Sequence, residues 1–300
     1  MKNKSLLYRF NAYQKERFPI AVLIFTTLSV VLSSAVIVLT IEDSIVNHIP
    51  AIIIGTITAL LFMFHMRVFD DQKDKQFDTD YHPERPVQKG IINIKELNFL
   101  NAIGLSIQFL LNVFFSLYAF LWLVLALGYS LIARAEFFMK QWIKKRFFLY
   151  NVLNLLQLFF VQIYLYALFN PEFSWENPLL FIHFIFALSN AALIEVGRKL
   201  KRKNEETEGR DTYSARLGMK FASVLFAGVY LTIYWMFSYM LFSLAETLTL
   251  FYISLIPLGI IITSTIIYLS WDNKLSPKLV EGSAILFYLS THLLLAFTRV

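Results

Sequence analysis

Six carboxylates crowd the fifteen residues from Asp70 to Glu84, within DDQKDKQFDTDYHPERPVQKG, directly after the apolar run LLFMFHMRVF. Carboxylates this close repel one another unless a cation or bulk water offsets the charge. If the apolar run continues as a helix past its end, Asp70, Asp74 and Asp78 fall at i, i+4 and i+8 on one face, with Asp71 beside them. Such a column of oxygen donors suits Mg2+, which takes one or two carboxylates and completes its octahedron with water and substrate phosphates. It equally suits a solvated acidic loop, and spacing alone leaves the two open.

A second charged segment, IEVGRKLKRKNEETEGRDTYSARLG from Ile194, mixes both signs. On a continuous helix Glu195, Arg198, Arg202 and Glu205 share a face. Arg198 and Lys199 are candidates to take phosphate charge directly, because a guanidinium grips phosphate oxygens in bidentate fashion. Lys201, Arg202 and Lys203 fit better as topology signals. The basic pair Lys145 and Arg146 forms a third charged point.

The elements that position these residues are membrane helices. Hydrophobic residues make up 57% of the 300, aromatic residues 17%, and the mean hydropathy is +0.59, far above a soluble domain. About nine apolar stretches are long enough to cross a bilayer: roughly 18–40, 48–69, 97–117, 118–134, 148–169, 179–197, 217–242, 247–271 and 281–298. None alternates like a barrel strand, so the expected fold class is an all-α polytopic bundle forming one domain over residues 1–300, with residues 1–17 as an N-terminal arm. Of the 27 Lys and Arg, all but Arg299 fall in the N-terminal arm or in the loops after spans two, four, six and eight. The positive-inside rule then places the N-terminus and the charged loops in the cytoplasm and the C-terminus outside. This suits a multi-pass protein of a bacterial inner membrane.

Several chemistries have no residues here. There is no cysteine, no GxSxG, no HExxH, no phosphate-cradling GxxxxGK[ST] and no glycine dinucleotide fingerprint. The basic balance reflects orientation rather than nucleic-acid binding. No small-residue cleavage site ends the first apolar run, so it is expected to be retained. Asn98, Asn101, Asn112, Asn151, Asn154, Gln157, Gln162 and Asn190 lie within spans, where helix packing is their expected role. His183 and His292 are expected to pack, and so is His65, although it precedes Asp70 by five residues and could shuttle a proton.

The first charged segment resembles the leading signature of the UbiA-type intramembrane prenyltransferases, Asn-Asp-x-x-Asp-x-x-x-Asp followed by Arg-Pro and a Gly. Asp70 replaces the Asn, Asp71, Asp74 and Asp78 fall on the aspartates, and Arg85, Pro86 and Gly90 match the tail. The family's second signature is Asp-x-x-x-Asp, a Gly, and a Thr-Leu-Pro-x-x-Leu-Gly tail. Here Gly209, Thr212, Leu217 and Gly218 align with it, Glu205 falls on the second aspartate and Lys201 on the first. Lys145 and Arg146 stand where the family often carries Lys-Arg. The resemblance implies a UbiA-like bundle of nine helices that transfers an isoprenyl group from its diphosphate to a lipophilic, possibly aromatic, acceptor. It implies Asp71, Asp74 and Asp78 as catalytic residues. Asp70, Asp71, Asp74, Asp78, Glu195 and Glu205 become the candidate Mg2+ ligands, and Arg85, Lys145, Arg146, Arg198 and Lys199 the candidate diphosphate contacts. The replacement at Lys201 removes a carboxylate from the second metal group.

Three other functions remain compatible with the sequence. A terpene cyclase of the same fold class would ionise the diphosphate but need no acceptor. A divalent-cation permease would also carry acidic residues, although here they gather at one face rather than at mid-membrane. A non-catalytic prenyl-lipid binder would explain the altered second signature. No protein or nucleic-acid partner is expected, only the membrane lipid.

Overall fold

The computed structural model describes residues 5–39, 44–206, 212–245 and 248–299. Gly209 of the second signature lies outside them, as do Lys2, Lys4 and Arg210 and the side chain of Lys144. The helices are α1 (Leu6–Arg17), α2 (Ile20–Val38), α3 (Ile49–Lys73), α4 (Lys75–Tyr81), α5 (Ile94–Phe115), α6 (Leu117–Arg134), α7 (Lys140–Lys144), α8 (Phe147–Leu155), α9 (Gln157–Phe169), α10 (Pro178–Arg198), α11 (Tyr213–Leu244), α12 (Leu248–Ser270) and α13 (Leu275–Ala296). Among the described residues there is no strand, and nine helical segments are long and apolar enough to cross a membrane. The fifth of these is α8 and α9 together, offset at Leu156.

Local chemistry sets the helix starts. The Asn93 side chain accepts the Glu96 N–H while Glu96 accepts the Asn93 N–H, a reciprocal cap that opens α5. Ser116, in extended backbone, separates α5 from α6 and caps the latter through the Ala119 N–H. Asn177 followed by Pro178 starts α10, and Thr212 caps α11. Surface turns extend α3 four residues beyond the expected end and start α11 and α13 several residues earlier. Those turns are helical but polar, so hydropathy does not count them.

The chain groups into two compact units, residues 1–31 with 48–171 and residues 32–47 with 172–300. In the first, α3 packs on α5, and α6 on α9. In the second, α10 packs on α11 and α13, and α12 on α13. The N-terminal arm is not free chain. Leu6, Phe10 and Tyr13 of α1 pack with Phe18, Phe64, Val68, Ile92 and Leu97, and Arg9 pairs with Glu96 at 2.5 Å. This docking brings α1 to the acidic segment.

Several polar residues inside the spans bond across helices as expected, whereas Asn151, Asn154, Gln157 and Asn190 donate to carbonyls of their own span. His65 bonds Asn101 and, at 2.8 Å, Ser130. Asn112 donates to Thr58 at 2.9 Å and accepts from Tyr164 at 2.7 Å. In the second unit Ser33 bonds both His183 and His292. Each interaction satisfies a polar group that lipid would leave unpaired.

Candidate functional site

In the first unit the acidic segment does not continue as one helix. α3 stops at Lys73, Asp74 takes φ −97 and ψ 11, and α4 begins at Lys75. The single face expected for Asp70, Asp74 and Asp78 is therefore replaced by a different pairing. Asp71 and Asp78 are buried, each 2% exposed. Asp70 faces away, with its side chain 41% exposed and Lys73 at 3.1 Å. Asp74 is half-buried and close enough for its charge to act on Lys73 and Tyr150.

Arg17 joins the two buried aspartates, lying 2.5 Å from Asp71 Oδ1 and 3.7 Å from Asp78 Oδ2. Tyr13 donates its hydroxyl to Asp71 Oδ2 at 2.5 Å, and Arg85 donates to Asp78 Oδ1. Burial, the Asp71 charge and this hydrogen bond push the Tyr13 phenol well above its ordinary pKa, so it remains a donor. Burial alone would pull Arg17 down, but the Asp71 charge and hydrogen bond, with Asp78, outweigh it and hold the guanidinium above its usual value. Arg85, a candidate diphosphate contact, is thus tied to a candidate metal ligand.

The donor set can be tested against Mg2+. Among the described residues no three His, Asp or Glu converge on one point. Mg2+ needs only one or two protein carboxylates, with phosphates and water completing its shell. Asp71 and Asp78 supply two, buried, on either side of a place that already holds a positive group. The chemistry of these donors fits the ion, with the Arg17 guanidinium in its neighbourhood.

The second unit carries the other charged segment, and the expected shared face of Glu195, Arg198, Arg202 and Glu205 does not form because α10 ends at Arg198. Glu195 accepts from Arg198 at 2.5 Å and from Lys199 at 3.0 Å. Arg202 turns inward and is 3% exposed. Its guanidinium donates to Ser276, to the carbonyls of Tyr268 and Trp271, and lies over the Tyr268 ring. Glu205 accepts the Arg202 backbone N–H at 3.3 Å, so it caps a short turn. Glu206 accepts from Ser214 at 2.6 Å and from Thr212. Tyr213 lies within reach of the charges of Glu195 and Arg198. Glu195 and Glu205, both candidate metal ligands, are thus engaged separately, one by two cations and one by backbone.

Lys145 and Arg146 are exposed between α7 and α8, and the Arg146 guanidinium stacks 3.8 Å from the centre of the Trp142 ring. Sequence reasoning did not find Tyr13, Arg17, Glu206 or Ser214. For α1 the signal was present: Leu6, Phe10 and Tyr13 at i, i+4 and i+7 mark one apolar helical face, which predicts docking. For Glu206 and Ser214 the partners lie across a loop and no spacing indicates them.

The comparisons with known proteins bear on the whole chain. The model of the UbiA prenyltransferase family matches residues 20–290. No curated protein matches. Among solved structures, a UbiA homolog from Aeropyrum pernix K1 is similar with TM-score 0.63 and 15% identity over 91% of this chain and 97% of that one. A UbiA homolog from Archaeoglobus fulgidus bound to DMAPP and Mg2+ is similar with TM-score 0.58 and 15% identity over 95% and 99%. A digeranylgeranylglyceryl phosphate synthase is similar with TM-score 0.54 and 16% identity over 98% of each chain.

Proposed function

The chain belongs to the UbiA prenyltransferase family, and from that premise we propose that it moves an isoprenyl group from an isoprenyl diphosphate to a lipophilic acceptor in an Mg2+-dependent reaction. The observation that carries the Mg2+ assignment is the pair of buried carboxylates, Asp71 and Asp78, held about a positive group. The Archaeoglobus fulgidus homolog bound to DMAPP and Mg2+ supports the same pairing of ion and diphosphate.

In this reaction the bond between the allylic carbon and the diphosphate oxygen breaks, and its electron pair leaves with the diphosphate. The acceptor then attacks the allylic cation and loses a proton. When bound, Mg2+ would supply positive charge that offsets the leaving group. Asp71, Asp74 and Asp78 would hold the ion. Arg85 binds phosphate oxygens, and its fixed charge lowers the barrier to ionisation; Arg198 and Lys199 of the second unit are proposed phosphate contacts in their own right. Asp70, paired with Lys73, stays beside the other aspartates as a further candidate ligand of the ion. The positive-inside rule supports a cytoplasmic position for the basic loops that carry these residues. A permease would need carboxylates along the spans, and the family assignment favours transfer.

The test is to incubate purified protein in detergent with a panel of isoprenyl diphosphates and to follow diphosphate release. Release that depends on Mg2+ and is lost in Asp71→Ala is expected. No release with any diphosphate, in the presence of a panel of aromatic and lipid acceptors, overturns the assignment.

A further inference from the structure

Helices α12 and α13 enclose a groove of about 560 Å³ within the second unit. Its walls are apolar, formed by Leu255, Ile260 and Ile267 on one helix and Leu279 and Leu286 on the other. The two helices are pinned by a 2.6 Å hydrogen bond between Ser264 and Ser283. The lining runs from residue 255 to 267 on α12, a length of roughly 18 Å at 1.5 Å per residue, or over half of a hydrocarbon core of about 30 Å.

Gly259 and Gly282 both line the groove. Each sits inside a helix with ordinary backbone, and a Cβ added at either meets nothing within 4 Å. Neither is needed for an unusual conformation or for close packing, yet glycine within a helix is less stable than alanine. What the two share is the room they leave. At one end of that room stands Lys278, in the first turn of α13, exposed and with no ion pair among the described residues. The start of a helix adds partial positive charge there. No carboxylate lines the groove.

We propose that this groove binds a membrane glycerophospholipid with a singly charged anionic headgroup, its acyl chain beside Gly259 and Gly282 and its phosphate at Lys278. The charge pattern selects this occupant. One lysine with no carboxylate to hold a metal matches one phosphodiester, whereas an isoprenyl diphosphate carries more charge and travels with a divalent ion. A basic residue near an anionic lipid surface is worth about 1 kcal/mol, which converts to about a fivefold preference.

Native mass spectrometry of the full-length protein, titrated with phosphatidylglycerol and phosphatidylcholine in detergent, tests the site. Wild type is expected to hold phosphatidylglycerol about fivefold more tightly. Lys278→Gln is expected to bring the ratio close to one. Gly259→Leu with Gly282→Leu is expected to remove one bound lipid of either kind. An excess of geranyl diphosphate with Mg2+ is expected to leave the bound lipid in place. Equal affinity of wild type for the two lipids, an unchanged ratio in Lys278→Gln, or displacement by geranyl diphosphate overturns the proposal. Lys278→Gln folds on the same packing as wild type, since the side chain is exposed, so it decides the matter even if the double leucine variant fails to assemble.

Discussion

Arg17 is the residue on which the two buried aspartates depend. Removing it leaves Asp71 and Asp78 with one counter-charge fewer, and breaking a buried ion pair from one side costs about 3–5 kcal/mol. A divalent cation entering between them restores charge and stabilises by mass action. Arg17→Ala is therefore expected to melt well below wild type in metal-free detergent and to regain most of that loss in millimolar Mg2+, while wild type gains less. An equal Mg2+ shift in both proteins would separate Arg17 from the ion. Gly218 makes a second case. It adopts φ 76 and ψ 158 inside α11, a region essentially reserved for glycine where other residues are strained by about 1–3 kcal/mol. Gly228 in the same helix has ordinary backbone and open space around it. Gly218→Ala is expected to lower thermal stability, whereas Gly228→Ala raises it by about 0.5–1 kcal/mol; denaturation curves of the two variants should move in opposite directions. Both signature glycines within the described residues, Gly90 and Gly218, have positive φ. Their places were legible as motif letters, but the backbone that demands them was not. The docking of the helix that carries Arg17 was legible in its apolar face, but the pairing of Arg17 with Asp71 was not, because the two lie 54 residues apart and no spacing rule links them.

Two helix ends decide what the charged segments can do. Sequence patterning favours a continuous helix through Asp78, because no proline or glycine interrupts that run, and the run to Glu205 contains only Gly197, which a helix tolerates. The chain breaks at Asp74 and Arg198 instead. Tertiary partners win over propensity here. Leu200 is fully buried and Arg202 reaches the last carbonyls of α12, the groups a helix end leaves unsatisfied. Arg202 is thus a bolt for a loop, while Arg198, four residues earlier, keeps 46% of its side chain exposed. The two arginines should separate in experiment. A hydrogen bond to a charged group is worth roughly 1.5–3 kcal/mol, so Arg202→Ala is expected to lower the melting temperature by several degrees. Arg198→Ala is expected to leave melting nearly unchanged and to weaken binding of a diphosphate analogue by about ten- to a hundredfold, measured by isothermal titration. Arg198→Lys should restore part of the affinity, since a point charge replaces a planar fork. Equal affinity in wild type and Arg198→Ala would remove Arg198 from the site.

The number and order of spans were readable from hydropathy alone, because lipid accepts only segments whose backbone bonds are satisfied internally. The grouping of those spans into two compact units was not readable, since it rests on contacts between segments distant in sequence. Orientation lies between these cases: the basic residues imply it, and it can be measured directly. If all nine candidate spans among the described residues cross, the termini lie on opposite sides and alternate loops share a side. Lys75 at the start of α4 and Lys203 after α10 are exposed and belong to basic loops, whereas Glu172 is exposed in a loop between α9 and α10 that contains no Lys or Arg. The chain has no cysteine, so a cysteine at any one of these positions is the sole thiol. A membrane-impermeant maleimide applied to intact cells is expected to label Glu172→Cys and to spare Lys75→Cys and Lys203→Cys until the membrane is opened. Labelling of either basic loop from outside would invert the orientation, and with it the side from which a diphosphate must arrive.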